Sequence, residues 1–371
     1  VGVVLDAMQL QLKLSRVRIS ALYAAALLAA APVMLLHMRA LAFMSRTMLV
    51  AVSGGLFCLF CIVLPIAFGQ ISLLMIWTLL QVVGPGMLYP TVELALLQWW
   101  GARRALVQAI VQSVGALLGM LFMPAVLSAT ACVDGDCWHQ AYVSLGFGLL
   151  VPVGVLVLLQ VEGGALDHDL QLDGRLLPHH PLQPKTADVA AVAPVATPCA
   201  PTAPLTEERW SLHDALTHTS FWLAQVSFST VHAIVNAYIF HRTDLMRDVG
   251  LPAEQSLTLQ MLVALSCTLC TPAGLLVRRK EHLLLIALLL TAWALMLLER
   301  NHTASGLYAS SILMGCAFGA TNGYATVLWE YFYGVTDAER IKQTSIAITS
   351  ATSGSAIWAF ALSRQEMGSY R

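Results

Sequence analysis

The sequence predicts an all-α polytopic membrane protein made of two helical halves. Three observations carry this: 58% of the 371 residues are apolar, only 11% are charged, and ten separate runs are long and apolar enough to cross a bilayer. A soluble domain is about a quarter charged, so this chain has too little charge to cover a water-facing surface. Its mean hydropathy is +0.72. The formal net charge of -1 leaves no basic surplus for phosphate binding, which excludes a nucleic-acid partner. Cys58, Cys61, Cys267, Cys270 and Cys316 lie inside apolar runs, where a thiol behaves as a small hydrophobe. The chain is not a disulfide scaffold.

The apolar runs fall near 19–36, 48–68, 71–92, 105–127, 141–161, 221–240, 257–277, 283–298, 305–328 and 343–362. A spanning helix needs roughly 20 such residues; the run at 283–298 is short and the one at 343–362 is the most polar. The chain opens on Val1 rather than a methionine, and Val1 to Leu5 reads as the tail of an apolar segment, so a fragment of a longer protein is expected. Residues 161–218 differ in kind. They hold Asp167, His168, Asp169, Asp173, His179 and His180, then a Pro/Ala/Val-rich run from Pro194 to Pro204. Such a composition buries no core and reads as an unstructured linker. It separates an N-terminal half at 1–160 from a C-terminal half at 219–371, with five spans in each.

Lys/Arg bias in the short loops sets orientation. One set of alternate loops holds Arg39, Arg46, Arg103, Arg104, Arg278, Arg279, Lys280, Arg340 and Lys342; the other holds Arg242, Arg247 and Arg300. Nine against three places the first set, and the linker, in the cytoplasm. Lys13, Arg16 and Arg18 in the N-terminal tail argue weakly the other way. Two features of the opposite loops agree with the assignment. Cys132 and Cys137 are close enough to pair in an oxidising compartment, and Asn301-His302-Thr303 is a glycosylation sequon.

The halves echo one another. Gly84, Gly86 and Pro90 run into Trp99-Trp100-Gly101-Ala102-Arg103-Arg104, followed by a helix with Gly115 and Gly119; Gly315, Gly319 and Gly323 run into Trp329, Tyr331-Phe332-Tyr333-Gly334 and Arg340, followed by a helix with Gly354. Small residues at intervals of four let membrane helices approach closely, and aromatics suit the interface. A repeat in one orientation across a long cytoplasmic linker is the arrangement of parallel-repeat transporters.

On these residues the sequence resembles the major facilitator superfamily, and more narrowly its monocarboxylate and oxalate/formate-type branch. Leu88-Tyr89-Pro90 through Trp99-Trp100 to Arg103-Arg104-Ala105 is similar to the junction of that family's fourth and fifth helices. Phe221-Trp222 and Phe240-His241 with Gly250-Leu251 are similar to its seventh helix and exit. Gly274-Leu275-Leu276-Val277-Arg278-Arg279 resembles the turn after its eighth. Tyr333-Gly334, Arg340-Ile341, Gly354-Ser355-Ala356 and Gly368-Ser369-Tyr370 resemble the stretch before its twelfth. The resemblance implies twelve spans, of which the first and last would lie outside this sequence. It also implies a secondary transporter that moves a small organic anion, such as a monocarboxylate, by alternating access with a co-transported proton. The family's signature loop falls at 37–47, yet His37 to Arg46 lacks its acid and glycine, Glu339 stands where a glycine is expected, and Leu276-Val277 replace the acid before Arg278. This erosion keeps open the alternative of a non-transporting relative: a receptor, a subunit or an inactive fragment.

Candidate functional residues follow from polarity inside the spans. Gln225, Ser229, His232 and Asn236 recur at i, i+4, i+7 and i+11, one face of a helix. Polar groups in a span must face a cavity or another helix. These four are therefore the leading solute contacts, with His232 a candidate proton carrier; the competing reading is hydrogen bonding between helices. Gln112 and Asn322 join them as candidate cavity residues. Gln108, Gln112, Gly115 and Gly119 share one face, as do Ser345, Thr349 and Thr352, and both stripes also read as packing glue. Glu93 is an intramembrane carboxylate and hence a coupling or gating candidate, expected to pair with Arg103 or Arg104; Arg340 completes the gating set. No enzyme motif of the HExxH, GxSxG or GxxxxGK[ST] kind occurs. His168 and Asp173 have HxxxxD spacing but sit in the linker, as do His179 and His180, so neither catalysis nor a metal or cofactor is expected. The expected partners are the lipid bilayer of the plasma membrane or an organelle and a small solute.

Overall fold

The structure, a computed structural model, describes residues 5–67, 69–97, 104–122, 137–159, 210–252, 255–272, 277, 280–300, 303–333 and 337–368. The described residues are helical, with no strand among them. Fourteen helices follow in order: α1 (Leu5–Leu12), α2 (Arg16–Met34), α3 (His37–Phe43), α4 (Arg46–Val63), α5 (Gln70–Val83), α6 (Tyr89–Leu97), α7 (Arg104–Leu117), α8 (Cys137–Leu159), α9 (Leu212–Thr217), α10 (Thr219–Asp248), α11 (Ser256–Cys270), α12 (Lys280–Arg300), α13 (Ala304–Tyr333) and α14 (Ala338–Met367).

Within the described residues, each apolar run in the sequence falls on a helix or a helix pair. Seven stretches are long and apolar enough to cross a membrane: Arg16–Met34, Arg46–Ile66, Gln70–Leu94, Trp138–Leu158, Thr219–Asp248, Glu281–Arg300 and Ala338–Met367; Leu106–Met120 and Ser256–Cys270 are shorter apolar helices. The tenth, α13, is 30 residues long, its apolar content diluted by Ser, Thr, Gly and Asn. Side-chain oxygens start several helices by accepting orphan amides: Arg18 N–H donates to Ser15 Oγ at 3.3 Å and Met48 N–H to Ser45 Oγ at 3.2 Å. α14 ends at Gly368, whose φ of 70° suits only a residue without a Cβ. Between α5 and α6 the sequence Gly84-Pro85-Gly86-Met87-Leu88 forms a π-turn. Pro85 has no N–H to give to the helical ladder, so the chain loosens there, and this is where it reaches the central cavity.

Two seams join the halves. α2 packs along α14, where a Cβ on Gly354 would meet the Ala24 carbonyl at 3.0 Å. α7 packs against α11, where the Ser113 hydroxyl donates to the Thr268 carbonyl and the Thr268 hydroxyl to the Ser113 carbonyl, both at 3.4 Å. Within the C-terminal half, α13 lies against α11 with Gly315, Gly319 and Gly323 facing the backbone of Val263, Cys267 and Thr271. The small-residue stripe there does what its spacing predicts. Gly115 on α7 and Gly119 in the π-turn that follows it do not: nothing lies within 4 Å of a Cβ placed on either.

Of the stretch expected to be an unstructured linker, residues 210–218 are described, and they fold. Ser211 and Asp214 form a reciprocal cap on α9, the Leu212 amide donates to Asp337 Oδ2 at 3.1 Å, and Trp210 packs edge-on against Tyr333 at 5.5 Å. The remainder, 161–209, lies outside the described residues.

The close approach of α13 to α11 gives a prediction. Gly319→Leu forces side-chain atoms onto the Cys267 carbonyl, an overpacking that costs about 1–3 kcal/mol. Thermal unfolding in detergent will read a lower midpoint for Gly319→Leu, while Gly148→Leu, where a Cβ meets nothing within 4 Å, leaves it unchanged.

Candidate functional site

A cavity of about 560 Å³ lies between the halves. The N-terminal half contributes Tyr23 and Leu27 from α2, Gln81 from α5, Pro85 from the π-turn, Tyr89 from α6 and Gln112 from α7. The C-terminal half contributes His232 and Asn236 from α10, Asn322 and Trp329 from α13, and Lys342, Thr349 and Ser353 from α14. A site shared by two pseudo-symmetric halves is where alternating access places its solute.

The sequence-predicted stripe on α10 divides. Gln225 and Ser229 turn into α14: the Gln225 amide donates to Thr349 Oγ1 and to the Ser345 carbonyl, both at 3.2 Å, and Ser229 bonds Thr349 at 3.0 Å. They act as interhelical ties and are not among the cavity-lining residues. His232 and Asn236, further along the same face, line the cavity. Asn236 donates to Ser353 Oγ at 3.1 Å. The His232 ring sits between Phe228 at 4.2 Å and Phe318 at 4.7 Å, and its buried Nε2 has no hydrogen-bond partner. An unpaired buried polar atom is costly unless something else satisfies it, and a solute in the cavity could. Gln112 and Asn322 also line the cavity, and Gln112 Nε2 donates to the Tyr89 hydroxyl.

Glu93 is 4% exposed and forms an ion pair with Lys342, while Gln108 Nε2 donates to Glu93 Oε1 at 2.6 Å. The pairing expected with Arg103 or Arg104 falls on side chains outside the described residues. Lys342 comes from the other half of the molecule, so the pair joins α6 and α7 to the start of α14. Arg103 and the side chain of Arg104 lie outside the described residues, as do Cys132, the side chain of Cys137, and Asn301. Arg340 is exposed and pairs at 3.5 Å with Asp337, away from the cavity.

Lys342 is the residue that sequence reading missed. It counts among the loop charges only if α14 is started at 343; the helix begins at Ala338. Extending the Ser345/Thr349 stripe back by three residues lands on Lys342 and would have found it.

At the far end of the same seam stands a larger charge cluster. Asp244 Oδ2 pairs with Arg16 at 2.7 Å and Asp244 Oδ1 with Arg364 at 2.6 Å, and Arg364 also reaches Asp248 at 2.9 Å. Asp6 pairs with Arg16 at 3.3 Å and with Arg247 at 2.5 Å. Six charges from α1, α2, α10 and α14 thus clamp one end, and Tyr23 stacks on Phe240 at 5.2 Å beneath them.

Near the Glu93 end, in the loop that lacks the family acid, His37 Nε2 lies 3.0 Å from Thr91 Oγ1 with its ring fully buried. Burial pushes the imidazole below its usual 6.5, and the Glu339 carboxylate opposes that shift. In this way His37 holds the loop to α6.

An all-α multi-pass membrane protein with a polar cavity between two like halves belongs to the class of alternating-access carriers. Sequence comparison makes this particular: the Major Facilitator Superfamily model matches residues 1–360, and the chain belongs to that superfamily of secondary transporters. No curated protein sequence matches it. Among solved structures it is similar to a D-xylose-proton symporter (TM-score 0.57, 12% identity, 98% of this chain and 85% of that one). It is also similar to the nucleoside transporter NupG (TM-score 0.55, 14%, 98% and 84%) and to the human organic anion transporter MFSD10 (TM-score 0.55, 12%, 97% and 83%). At these identities the likeness is one of fold.

His37 gives a pH prediction. Its folded-state pKa is depressed, so below about 6.5 the unfolded chain binds a proton that the folded chain resists, and stability is lost as pH falls. Thermal midpoints measured from pH 7.5 down to 5.5 will drop less for His37→Gln than for the unaltered protein.

Proposed function

We propose that this chain is a proton-coupled carrier of an organic anion, with the solute carboxylate held by Lys342 and the proton by Glu93. The observation that carries the reading is the buried Glu93–Lys342 pair across the halves, with Lys342 lining the cavity. A lone buried ammonium needs a counter-charge. When a carboxylate enters and takes Lys342, Glu93 loses the ammonium's charge in a poorly solvated site. Taking up a proton neutralises it, and the Gln108 amide stays as its hydrogen-bond donor. Solute and proton then cross together with no net charge moved. Release of the anion returns Lys342 to Glu93, which gives up its proton. The likeness of Leu88 to Ala105 to the monocarboxylate and oxalate/formate-type branch agrees with an anionic solute.

On the arginine bias, the Glu93 end faces the cytoplasm and the Asp244 clamp faces outside. His232, Asn236, Asn322 and Gln112 orient the body of the solute. Breaking the Glu93–Lys342 pair opens one end, and breaking the Arg16–Asp244–Arg364 clamp opens the other.

Uptake into proteoliposomes with an imposed pH gradient tests this. The unaltered protein will accumulate an organic anion when the trans side is alkaline. Glu93→Gln will keep anion exchange but lose gradient-driven accumulation by at least about tenfold, the scale of a lost general acid or base. Lys342→Gln will lose both. Failure to move any anion, sugar or nucleoside would support the non-transporting alternative.

A further inference from the structure

We infer that the anion carried is an elongated aromatic carboxylate with a polar group at its far end, rather than a two- or three-carbon acid; this rests on the anion reading above. Length is the first argument. α10 and α14 run parallel, since Ser229 meets Thr349, Asn236 meets Ser353 and His241 meets the Ile357 carbonyl. His232 therefore lies at a depth between Thr349 and Ser353. Thr349 is seven residues beyond Lys342, a rise of about 10 Å at ~1.5 Å per residue. A three-carbon acid, with bonds of about 1.5 Å, spans under ~5 Å. Bound at Lys342, it would leave His232 and Asn236 untouched and much of the cavity of about 560 Å³ empty.

The walls give the second argument. The cavity is lined by the rings of Trp329, Phe228, His232, Tyr23 and Phe240, of which Trp329, packed on Phe221, lies nearest the depth of Lys342. The Tyr23–Phe240 stack lies beyond His232, while Phe228 and His232, tilted at 35° with centroids 4.2 Å apart, present their rings at the depth of the bound acid. Such faces favour another ring in offset or edge contact. The third argument is the unpartnered Nε2 of His232, which lies at the right depth for a hydroxyl or carbonyl on the far side of that ring. A 4-hydroxyphenylpropionate-like acid meets all three requirements: carboxylate to Lys342, ring between the aromatic walls, hydroxyl to His232.

The test is a binding and counterflow series on the full chain in proteoliposomes, with acetate, lactate, 3-phenylpropionate, 3-(4-hydroxyphenyl)propionate and the neutral 3-phenylpropionamide. Affinity is expected to rise at least about tenfold from lactate to 3-phenylpropionate, the scale set by filling an apolar pocket. The ring hydroxyl should add a further ~threefold or more, and the amide should bind at least about tenfold more weakly than the acid. In His232→Phe, which keeps a ring in place, the ratio of 3-(4-hydroxyphenyl)propionate affinity to 3-phenylpropionate affinity should fall to about one. Lactate or acetate binding as tightly as the aryl acids would overturn this inference and leave the anion reading standing. Equal binding of amide and acid, or no binding by any member, would overturn both. The ligand series needs no variant, so it decides the matter even if His232→Phe fails to fold.

Discussion

Everything in the site is arranged around one buried ion pair. Glu93 and Lys342 come from opposite halves and are almost wholly removed from solvent. In such surroundings a pair is close to neutral in net stability, but removing one partner costs about 3–5 kcal/mol because the other charge is left bare. That asymmetry is useful to a carrier. The pair tolerates exchange of partners and resists loss of one. On the proposed reading, a solute anion and a proton together offer such an exchange.

The two ends of the bundle are built unequally. One end carries this pair with Gln108 behind it; the other is tied by six charges centred on Asp244, with the Tyr23–Phe240 stack beneath. The seams between the halves differ in a similar way. α2 and α14 meet at Gly354 with backbone close to backbone, while α7 and α11 touch through a reciprocal Ser113–Thr268 contact at 3.4 Å. Inside the C-terminal half, the glycine face of α13 is pressed onto α11 with no room for a side chain. Close packing therefore occurs both within the C-terminal half and along the α2–α14 seam between the halves.

Much of the fold was legible because a bilayer leaves the chain few options. Backbone groups in hydrocarbon must be satisfied within the segment, so the apolar runs had to be helices, and the helices lie where the runs lie. The stripe on α10 was legible as a face but not as a function. Gln225 and Ser229 share that face with His232 and Asn236, and only the crossing with α14 decides which of them meet a neighbouring helix and which meet space. Glu93 was legible as a special residue through its cost in the membrane; its contact with Lys342 was not, since the two are far apart in sequence. Lys342 was hidden by the convention of assigning a basic residue near a helix end to the loop. His37 was hidden by what the loop lacks. A missing acid drew the eye, while the buried histidine bonded to Thr91 is a contact that only three dimensions bring together.

The central claim is that Glu93 and Lys342 act as one unit across the halves, and a charge swap tests it most directly. Glu93→Lys, Lys342→Glu and the double exchange would be compared for thermal stability and for gradient-driven anion uptake. The account predicts that each single change, placing like charges together in a buried site, lowers both severely. The double exchange restores the ion pair and should recover most of the stability, with an interaction energy of about 1–3 kcal/mol on the double-mutant cycle. A double variant whose loss equals the sum of the two singles would show that the residues act independently, and would contradict the account.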